Sequence, residues 1–302
     1  MPSRELTAVL KKNNALRDAW NANPDATFDE SRRIFEDWLS ELAIPEDARF
    51  EPVEIGGVPC IWAEAPGIHA NRVVIHFHSG GYLLGSANGY RSFGTFLSAA
   101  SGCRVLLPDY RLAPEHPYPA AIEDALTVYE AVVELGHAPS QIAFCGDSAG
   151  GGLVFAALQA MRDRGVPFPA AAVSISPLAD FTHSGESYRT NAAFDPLVTL
   201  ETLKSQAATY CEGHDPRSPG LSPLFGEWSN LPPLLILAGE IEMMRDDGKR
   251  CAEAAAAAGV NATYLEGAGM MHIWTLFADR LPEAREALEQ VGSFIKAYLR
   301  NA

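Results

Sequence analysis

Short apolar runs alternate with longer stretches of helical pattern through most of this chain. Runs of this kind, bounded by turn residues, are typical of strands buried in a parallel sheet, and the stretches between them are typical of crossover helices. The runs occupy residues 72–77, 104–108, 141–145, 171–176, 233–238 and 262–265. Residues 50–64 contain two shorter runs around a Gly-Gly turn, which predicts an antiparallel hairpin at the sheet edge. The pattern therefore predicts an α/β fold with a central, mostly parallel sheet.

Three further segments complete the pattern. Residues 282–299 begin with proline and predict a closing amphipathic helix. Residues 1–45 and about 181–225 do not follow the alternation, and both carry several aromatic side chains. A chain of 302 residues, 47% of them hydrophobic, can bury one large core, so we expect residues 1–302 to form a single α/β domain.

The chain is acidic, because 23 Lys and Arg residues face 38 Asp and Glu residues, for a formal net charge of −15. The basic residues are scattered, so we expect no nucleic acid partner, because phosphate binding needs a concentrated basic surface. No apolar run approaches the roughly 20 residues of a membrane span, and the N-terminus lacks the apolar core of a signal peptide. We therefore expect no membrane contact and a cytoplasmic location. Five widely spaced cysteines favour reduced thiols over a disulfide framework or a zinc site.

One serine lies in a glycine-rich turn between an apolar run and a helical stretch. Residues 144–152 read Phe-Cys-Gly-Asp-Ser-Ala-Gly-Gly-Gly, so that Gly146 and Gly150 flank Ser148 in the G-x-S-x-G pattern of a nucleophile elbow. Side chains at the two glycine positions would collide with a neighbouring strand or with the helix start. A phosphate-binding loop would need a Gly-Lys-Ser/Thr ending or G-x-G-x-x-G spacing, and neither is present. Ser148 is therefore a candidate nucleophile.

A second glycine-rich loop, His-Ser-Gly-Gly at residues 78–81, follows the apolar run at 72–77. In a serine hydrolase such a loop presents backbone N–H groups to an oxyanion, because glycine lets the backbone approach the substrate closely. His76 and His78 could also be interpreted as a metal-binding pair. No further His or Cys cluster supports the pair. We therefore expect no metal site.

Three blocks of sequence together resemble one known family. They are the loop at 78–81, Asp-Tyr-Arg-Leu-Ala-Pro-Glu at 109–115 and Gly-Asp-Ser-Ala-Gly-Gly at 146–151. From about residue 50 onward, the chain resembles the hormone-sensitive-lipase-like α/β-hydrolases, the bacterial family IV esterases. The resemblance implies an α/β-hydrolase fold in which residues of about 1–45 and about 181–225 form a helical cap over the active site.

One position departs from the family pattern, whose loop usually reads His-Gly-Gly-Gly. The second residue here is Ser79, and serine adopts positive φ poorly. Either this position is unstrained, or the loop is slightly redirected. The oxyanion donors of the family correspond to the backbone N–H groups of Gly80, Gly81 and Ala149, which are all retained. The resemblance also implies that His78 supports the loop and does not react.

The base and the acid are expected downstream of the serine, because α/β-hydrolases carry nucleophile, acid and histidine in that order. His272 follows the run at 262–265 and resembles the catalytic histidine of the family, whereas His214 lies in a polar loop. Four carboxylates follow the run at 233–238. Glu242 matches the register of the family because Met-Met-Arg-Asp comes directly after it, and Glu240 is the alternative acid.

These residues and the resemblance imply a carboxylesterase that acts on short-chain esters through an acyl-enzyme. Ser148 would be the nucleophile, His272 the base and acid, and Glu242 the orienting acid. No cofactor is expected, and the partner would be a small-molecule ester or lactone. A lactone hydrolase with the same residues is an alternative, because ring opening uses the same groups. A non-catalytic small-molecule receptor is the alternative from another class, and the retention of all three residues argues against it. A homodimer would be in keeping with the family.

Overall fold

The computed structural model describes residues 3–23, 26–68 and 71–299. Residues 1, 2, 24 and 25 of the first predicted cap segment lie outside the described residues, as do residues 69, 70 and 300–302 of the predicted domain. Within the described ranges, strands and helices alternate as the apolar runs predict.

Eight strands form one sheet in the described part of the chain. Each of the six apolar runs overlaps one of the strands β3 to β8, and the Gly-Gly turn joins β1 to β2. Every residue of β3, β5, β6 and β7 is buried, which explains why these strands read as continuous apolar runs. The strands are β1 (Arg49–Ile55), β2 (Val58–Glu64), β3 (Val73–Phe77), β4 (Arg104–Pro108), β5 (Ile142–Asp147), β6 (Ala171–Ile175), β7 (Leu234–Gly239) and β8 (Ala262–Gly267).

The strand order is β1-β2-β4-β3-β5-β6-β7-β8. Strand β2 pairs antiparallel with β1 and with β4, whereas every other neighbouring pair is parallel. The predicted edge hairpin and the mostly parallel sheet are therefore confirmed. The carboxyl ends of parallel strands lie at the same edge of a sheet, so the segments that follow β3, β5, β7 and β8 meet there.

Helices connect the strands and close the chain. The last helix begins with Pro282 at its first turn, and its buried residues recur every three or four positions, as the sequence predicts for an amphipathic helix. The helices are α1 (Arg4–Asn21), α2 (Phe28–Ser40), α3 (Arg91–Ser101), α4 (Ala120–Glu134), α5 (Ala149–Arg164), α6 (Ser187–Thr190), α7 (Leu200–Cys211), α8 (Arg245–Ala257) and α9 (Pro282–Tyr298). No helix in the described ranges is both long and apolar enough to cross a membrane.

Two helical segments lie outside the alternation of strand and helix. Helices α1 and α2 precede the sheet, and α6 and α7 lie between β6 and β7. The Arg32 guanidinium of α2 donates to the backbone oxygens of Leu83 and Ala113, which follow β3 and β4. In α7, the Tyr210 ring stacks on Tyr82 with the centroids 4.0 Å apart. Both segments therefore pack against loops at the carboxyl edge of the sheet.

Helix α5 approaches the sheet closely at two glycines. A Cβ atom on Gly150 would lie 1.9 Å from the backbone oxygen of Phe77 in β3. A Cβ atom on Gly146 would lie 2.2 Å from the backbone oxygen of Gly150. These are the neighbouring strand and the helix start with which the sequence analysis predicts a collision. Glycine is required at both positions because backbone atoms cannot move away as a flexible side chain can.

We expect Gly150→Ala to destabilise the protein by about 3 kcal/mol or more, because the added methyl group would overlap the Phe77 carbonyl. The matched control is Gly248→Ala in α8, where the nearest atoms to an added Cβ are side-chain atoms at 3.4 Å. That change should be neutral or stabilise by up to about 1 kcal/mol, because alanine favours the helix. Thermal and urea unfolding of the two variants measure the difference. Equal stability of the two variants would contradict the close approach.

Candidate active site

Ser148 occupies the turn between β5 and α5 in a conformation that few residues adopt, with φ = 54° and ψ = −117°. Backbone conformations of this kind cost roughly 1–3 kcal/mol and persist only where neighbouring structure enforces them. Here the Ser148 N–H donates to the backbone oxygen of Ile175 at 2.9 Å, and the Ser148 carbonyl accepts from Leu178 N at 2.9 Å and Gly152 N at 3.0 Å. The contacts with the segment at and after β6 hold the turn, and the side chain is 7% exposed.

His272 and Glu242 extend from Ser148 as a continuous chain of polar contacts. The His272 Nε2 atom lies 2.9 Å from Ser148 Oγ, and its Nδ1 atom lies 3.1 Å from Glu242 Oε2. His272 is 2% exposed and Glu242 is fully buried. The structure thus brings together the three residues that the sequence analysis singles out from three distant parts of the chain.

The loops that carry His272 and Glu242 are joined by backbone hydrogen bonds. Glu240 N donates to Gly267 O, and Ile241 N donates to Met270 O, each at 3.0 Å. Directly after the histidine, Ile273 N donates to Ser176 Oγ at 3.1 Å. The carboxyl ends of β7 and β8 therefore form one unit, which fixes the separation between the carboxylate and the imidazole.

The other two candidates from the sequence lie elsewhere. Glu240 is exposed, and its Oε2 accepts from Gly269 N at 2.6 Å, so it supports the turn before His272 and does not contact the imidazole. His214 is exposed in the loop after α7, where its ring packs edge-on against the Tyr118 ring with the centroids 5.2 Å apart. Neither side chain reaches Ser148.

The loop that carries Glu242, here called the acid loop, is held by three polar residues from the segment between β6 and β7. The sequence analysis does not identify these three residues. Asn191 Nδ2 donates to the backbone oxygens of Glu240 and Glu242, at 3.0 and 2.8 Å. Asp195 Oδ2 accepts from Met243 N at 2.9 Å, and Ser187 Oγ donates to Met243 O at 2.7 Å. The only sequence signal for these residues is their polar character. It does not indicate which distant backbone groups they bind.

Burial and charge act in opposite directions on the two titratable groups. Burial alone would lower the pKa of His272, but the bonded Glu242 carboxylate, helped by Asp195 and Asp147, raises this pKa above the ordinary value of 6.5. Burial raises the pKa of Glu242, and the contact with His272 partly offsets the increase. The carboxylate therefore favours the protonated imidazole, which would form if Ser148 lost its proton to Nε2.

The glycine-rich loop after β3 presents backbone N–H groups. Gly80 and Gly81 have positive φ values of 124° and 64°, and a Cβ on Gly80 would lie 2.1 Å from Leu84 O. In the described part of the chain, the N–H groups of Gly80, Gly81 and Ala149 donate to no backbone oxygen. Ala149 begins α5, so its N–H is one of the unsatisfied donors of a helix start.

The remaining residues of this loop are held in place by their neighbours. Ser79 is not among the described residues with positive φ, so this serine occupies an unstrained position. The His78 ring stacks on Tyr110 with centroids 4.2 Å apart, and Tyr110 Oη donates to His78 O at 2.7 Å.

Among the described residues, no group of three or more His, Cys, Asp or Glu side chains has an arrangement suited to a metal ion.

Comparison with known proteins identifies relatives over nearly the whole chain. Residues 74–276 match a family described by its alpha/beta hydrolase fold. An acetyl-hydrolase from Streptomyces hygroscopicus is 40% identical over 271 residues, covering 88% of this chain and 89% of the relative. A carboxylesterase from Mycobacterium tuberculosis is 34% identical over 275 residues, covering 85% of this chain and 79% of the relative.

Solved structures give the same result. The crystal structure of an esterase from the bacterial hormone-sensitive lipase family is 41% identical, with a TM-score of 0.95, over 99% of this chain and 100% of that chain. A hormone-sensitive lipase from a metagenome library is 31% identical, with a TM-score of 0.89, over 95% of this chain and 97% of that chain. The resemblance in the three motif blocks is therefore confirmed, and the chain belongs to the α/β-hydrolase family, among the bacterial hormone-sensitive-lipase-like esterases.

Proposed function

We propose that this protein is a serine carboxylesterase that hydrolyses short-chain acyl esters through an acyl-enzyme. The observation that supports this most strongly is the chain of contacts from Ser148 Oγ through both nitrogens of His272 to Glu242. A weak hydroxyl nucleophile needs an adjacent base, and the base needs a third group to hold its tautomer. The two hydrogen bonds supply both requirements.

In the proposed acylation, His272 Nε2 takes the Ser148 proton as Oγ attacks the ester carbonyl carbon. The carbonyl oxygen becomes an oxyanion, and the tetrahedral intermediate collapses when His272 returns the proton to the leaving alcohol. In deacylation, His272 takes a proton from water as the water oxygen attacks the acyl carbonyl carbon. It returns this proton to Ser148 Oγ as the bond between Oγ and the acyl carbon breaks and the carboxylic acid leaves. Glu242 accepts the Nδ1 hydrogen bond throughout and stabilises the imidazolium that forms in each half-reaction.

The proposed oxyanion donors are the N–H groups of Gly80, Gly81 and Ala149. Two observations support this assignment. These N–H groups have no backbone acceptor among the described residues, and the loop after β3 contacts the turn at Ser148. A Cβ on Gly150, one residue after Ala149, would lie 2.7 Å from His78 O as well as against Phe77. The loop after β3 and the start of α5 are therefore in close contact. N–H donors that are preorganised in this way stabilise a developing negative charge effectively.

The short acyl limit is supported by the proximity of α7 to the oxyanion loop. A Cβ on Gly81 would lie 2.6 Å from the Gln206 side chain of α7, and Tyr210 stacks on Tyr82 directly beside it. We propose that the segments 1–45 and 181–225 act as the cap and that α7 leaves room only for a small acyl group. The name of the Streptomyces relative, an acetyl-hydrolase, agrees with a small acyl group.

Hydrolysis of p-nitrophenyl esters from acetate to a long-chain acyl group tests the proposal. We expect the highest kcat/KM at short chains and a decline as the acyl group outgrows the space beneath α7. Ser148→Ala should lose roughly 10⁶-fold in kcat, because the nucleophile and its covalent intermediate are removed. Full activity in this variant would contradict the assignment of Ser148.

The same assay distinguishes the alternatives. Turnover of lactones with no turnover of any ester would identify the lactone hydrolase that the sequence leaves open. Binding of a small molecule with no turnover would favour the receptor, which the enzymatic names of the relatives disfavour.

Glu242→Gln should lower kcat by roughly 10³-fold or more, because a neutral amide neither stabilises the imidazolium nor fixes its tautomer. Glu240→Gln is the matched control, since its side-chain oxygen can still accept from Gly269 N in the exposed turn. Steady-state kinetics with p-nitrophenyl acetate compare the two. A larger loss at Glu240 would move the acid to that residue.

The raised pKa of His272 predicts the acid limb of the pH profile. His272 must be neutral to accept the Ser148 proton, so kcat/KM should fall as the pH decreases through a value above the ordinary 6.5. In Glu242→Gln the loss of the carboxylate charge should displace the limb of the residual activity to lower pH. The measured values belong to the coupled pair of His272 and Glu242. A wild-type limb centred below 6.5 would contradict the electrostatic argument.

A further inference from the structure

A buried polar contact links the two turns that the proposed mechanism uses. Tyr90, at the start of α3, is fully buried, and its hydroxyl lies between the oxyanion loop and the end of β5. The Oη atom is 3.1 Å from Ser79 N, 2.5 Å from Ser79 Oγ and 2.6 Å from Asp147 Oδ2. None of these three side chains takes part in the proton transfers of the proposed reaction.

The donors and acceptors of this contact can be assigned by counting protons. Tyr90 has one hydroxyl proton, and the Asp147 carboxylate can only accept, so Tyr90 Oη donates to Asp147 Oδ2. The Ser79 N–H can only donate, and it donates to Tyr90 Oη. The Tyr90 and Ser79 hydroxyls form a further hydrogen bond between Oη and Oγ. Ser79 therefore makes two hydrogen bonds to one atom, and that atom makes one to Asp147.

The surroundings of Tyr90 favour a protonated hydroxyl and pack closely against its ring. Burial and the neighbouring Asp147 charge raise the pKa of Tyr90 well above its ordinary value. The ring packs against His76 and Phe93, with centroid separations of 5.4 and 6.0 Å. The second oxygen of the Asp147 carboxylate, Oδ1, lies 3.1 Å from His76 Nε2. The Tyr90 hydroxyl is thus enclosed by buried groups, while Asp147 Oδ1 makes no hydrogen bond within the described residues.

The ends of this contact are adjacent in sequence to the proposed reacting groups. Ser79 directly precedes Gly80 and Gly81, and Asp147 directly precedes Ser148. We infer that Tyr90 and Ser79 are positioning residues that fix the oxyanion loop relative to the nucleophile elbow. This inference rests on the proposed function. A misplacement of about 1 Å at such a site can cost on the order of 100-fold in rate, so a rigid connection between the two turns matters for catalysis.

The serine has a specific purpose in this arrangement. The family that the chain resembles usually has glycine at this position, and a glycine would keep the N–H bond to Tyr90 but lose the hydroxyl bond. Glycine also has greater backbone freedom, which here would adjoin the positive φ of Gly80 and Gly81. Ser79 therefore adds a second contact and restricts the backbone directly before the two glycines of the loop.

Tyr90→Phe tests the inference, because it removes the hydroxyl and keeps the ring that packs on His76. With p-nitrophenyl acetate, we expect kcat to fall roughly 10-fold to 100-fold with little change in KM, since the loss is confined to the transition state. The affinity for a short trifluoromethyl ketone, which forms a tetrahedral adduct, should fall by the same factor. Titration of Ser148 with a fluorophosphonate should still reach one label per chain, at a slower rate.

Ser79→Ala provides a second and smaller change, and the double variant provides the coupling. Because both residues act through Tyr90 Oη, Ser79→Ala should lower kcat in the wild-type background and have little further effect in Tyr90→Phe. Tyr129→Phe is the matched control. It removes a buried hydroxyl that donates to Pro167 O at 2.6 Å, away from both turns, and should leave kcat and labelling unchanged.

The inference is overturned if Tyr90→Phe and Ser79→Ala keep wild-type kcat, analogue affinity and labelling rate. It is also overturned if they lose activity only in proportion to the Ser148 that can be labelled, because that result would indicate a loss of folded protein alone. Failure of the esterase proposal gives a different result, namely a wild-type protein that is labelled at Ser148 and hydrolyses no ester. In that case the relative labelling rates of the variants still decide the inference.

Discussion

The backbone of α5 lies against β3 so closely at Gly150 that the Phe77 carbonyl occupies the space of a side chain. Two consequences follow from this approach. The start of the helix, with its unsatisfied N–H groups, is brought beside the loop that leaves β3, and the turn at Ser148 is forced into a strained conformation. The hydrogen bonds of Ser148 with the chain at and after β6 offset the strain. The geometry of the proposed nucleophile is therefore a property of three adjacent strands.

The proposed acid and base depend on a different part of the molecule. Glu242 is fully buried, and a buried carboxylate is costly unless it is paired and its loop is held. His272 supplies the pair, while Asn191 and Asp195 hold the backbone of the acid loop. These two residues come from the segment that we propose as part of the cap. The proposed cap segment thus also supports the Glu242 carboxylate, so a change in this segment would reach the proposed acid directly.

The sequence predicts those features whose cause is local. The six apolar runs predict strands, and five of these strands, β3 to β7, are fully or almost fully buried. The glycines around Ser148 are required by contacts that the motif implies. His272 and Glu242 were identified through motifs and chain order. Asn191 and Asp195 could not be identified, because their backbone partners after β7 lie about 50 residues away along the chain. Tyr90 is close to Ser79 in sequence, but its carboxylate partner Asp147 is 57 residues away. A single polar residue carries no information about which distant backbone group or carboxylate it will meet on folding.

Tyr82 shows how the loop and the proposed cap depend on each other. It has φ = 64°, a conformation that costs a bulky residue roughly 1–2 kcal/mol. Its ring is 2% exposed and stacks on Tyr210 of α7 with only 6° between the planes, and such a pair contributes about 0.5–1.5 kcal/mol beyond the burial of both rings. The stacking on α7 therefore offsets part of the strain at the residue that follows Gly81, and the burial of both rings adds to this stabilisation. Helix α7, which we propose limits the space for an acyl group, thus also stabilises the loop whose N–H groups we propose for the oxyanion.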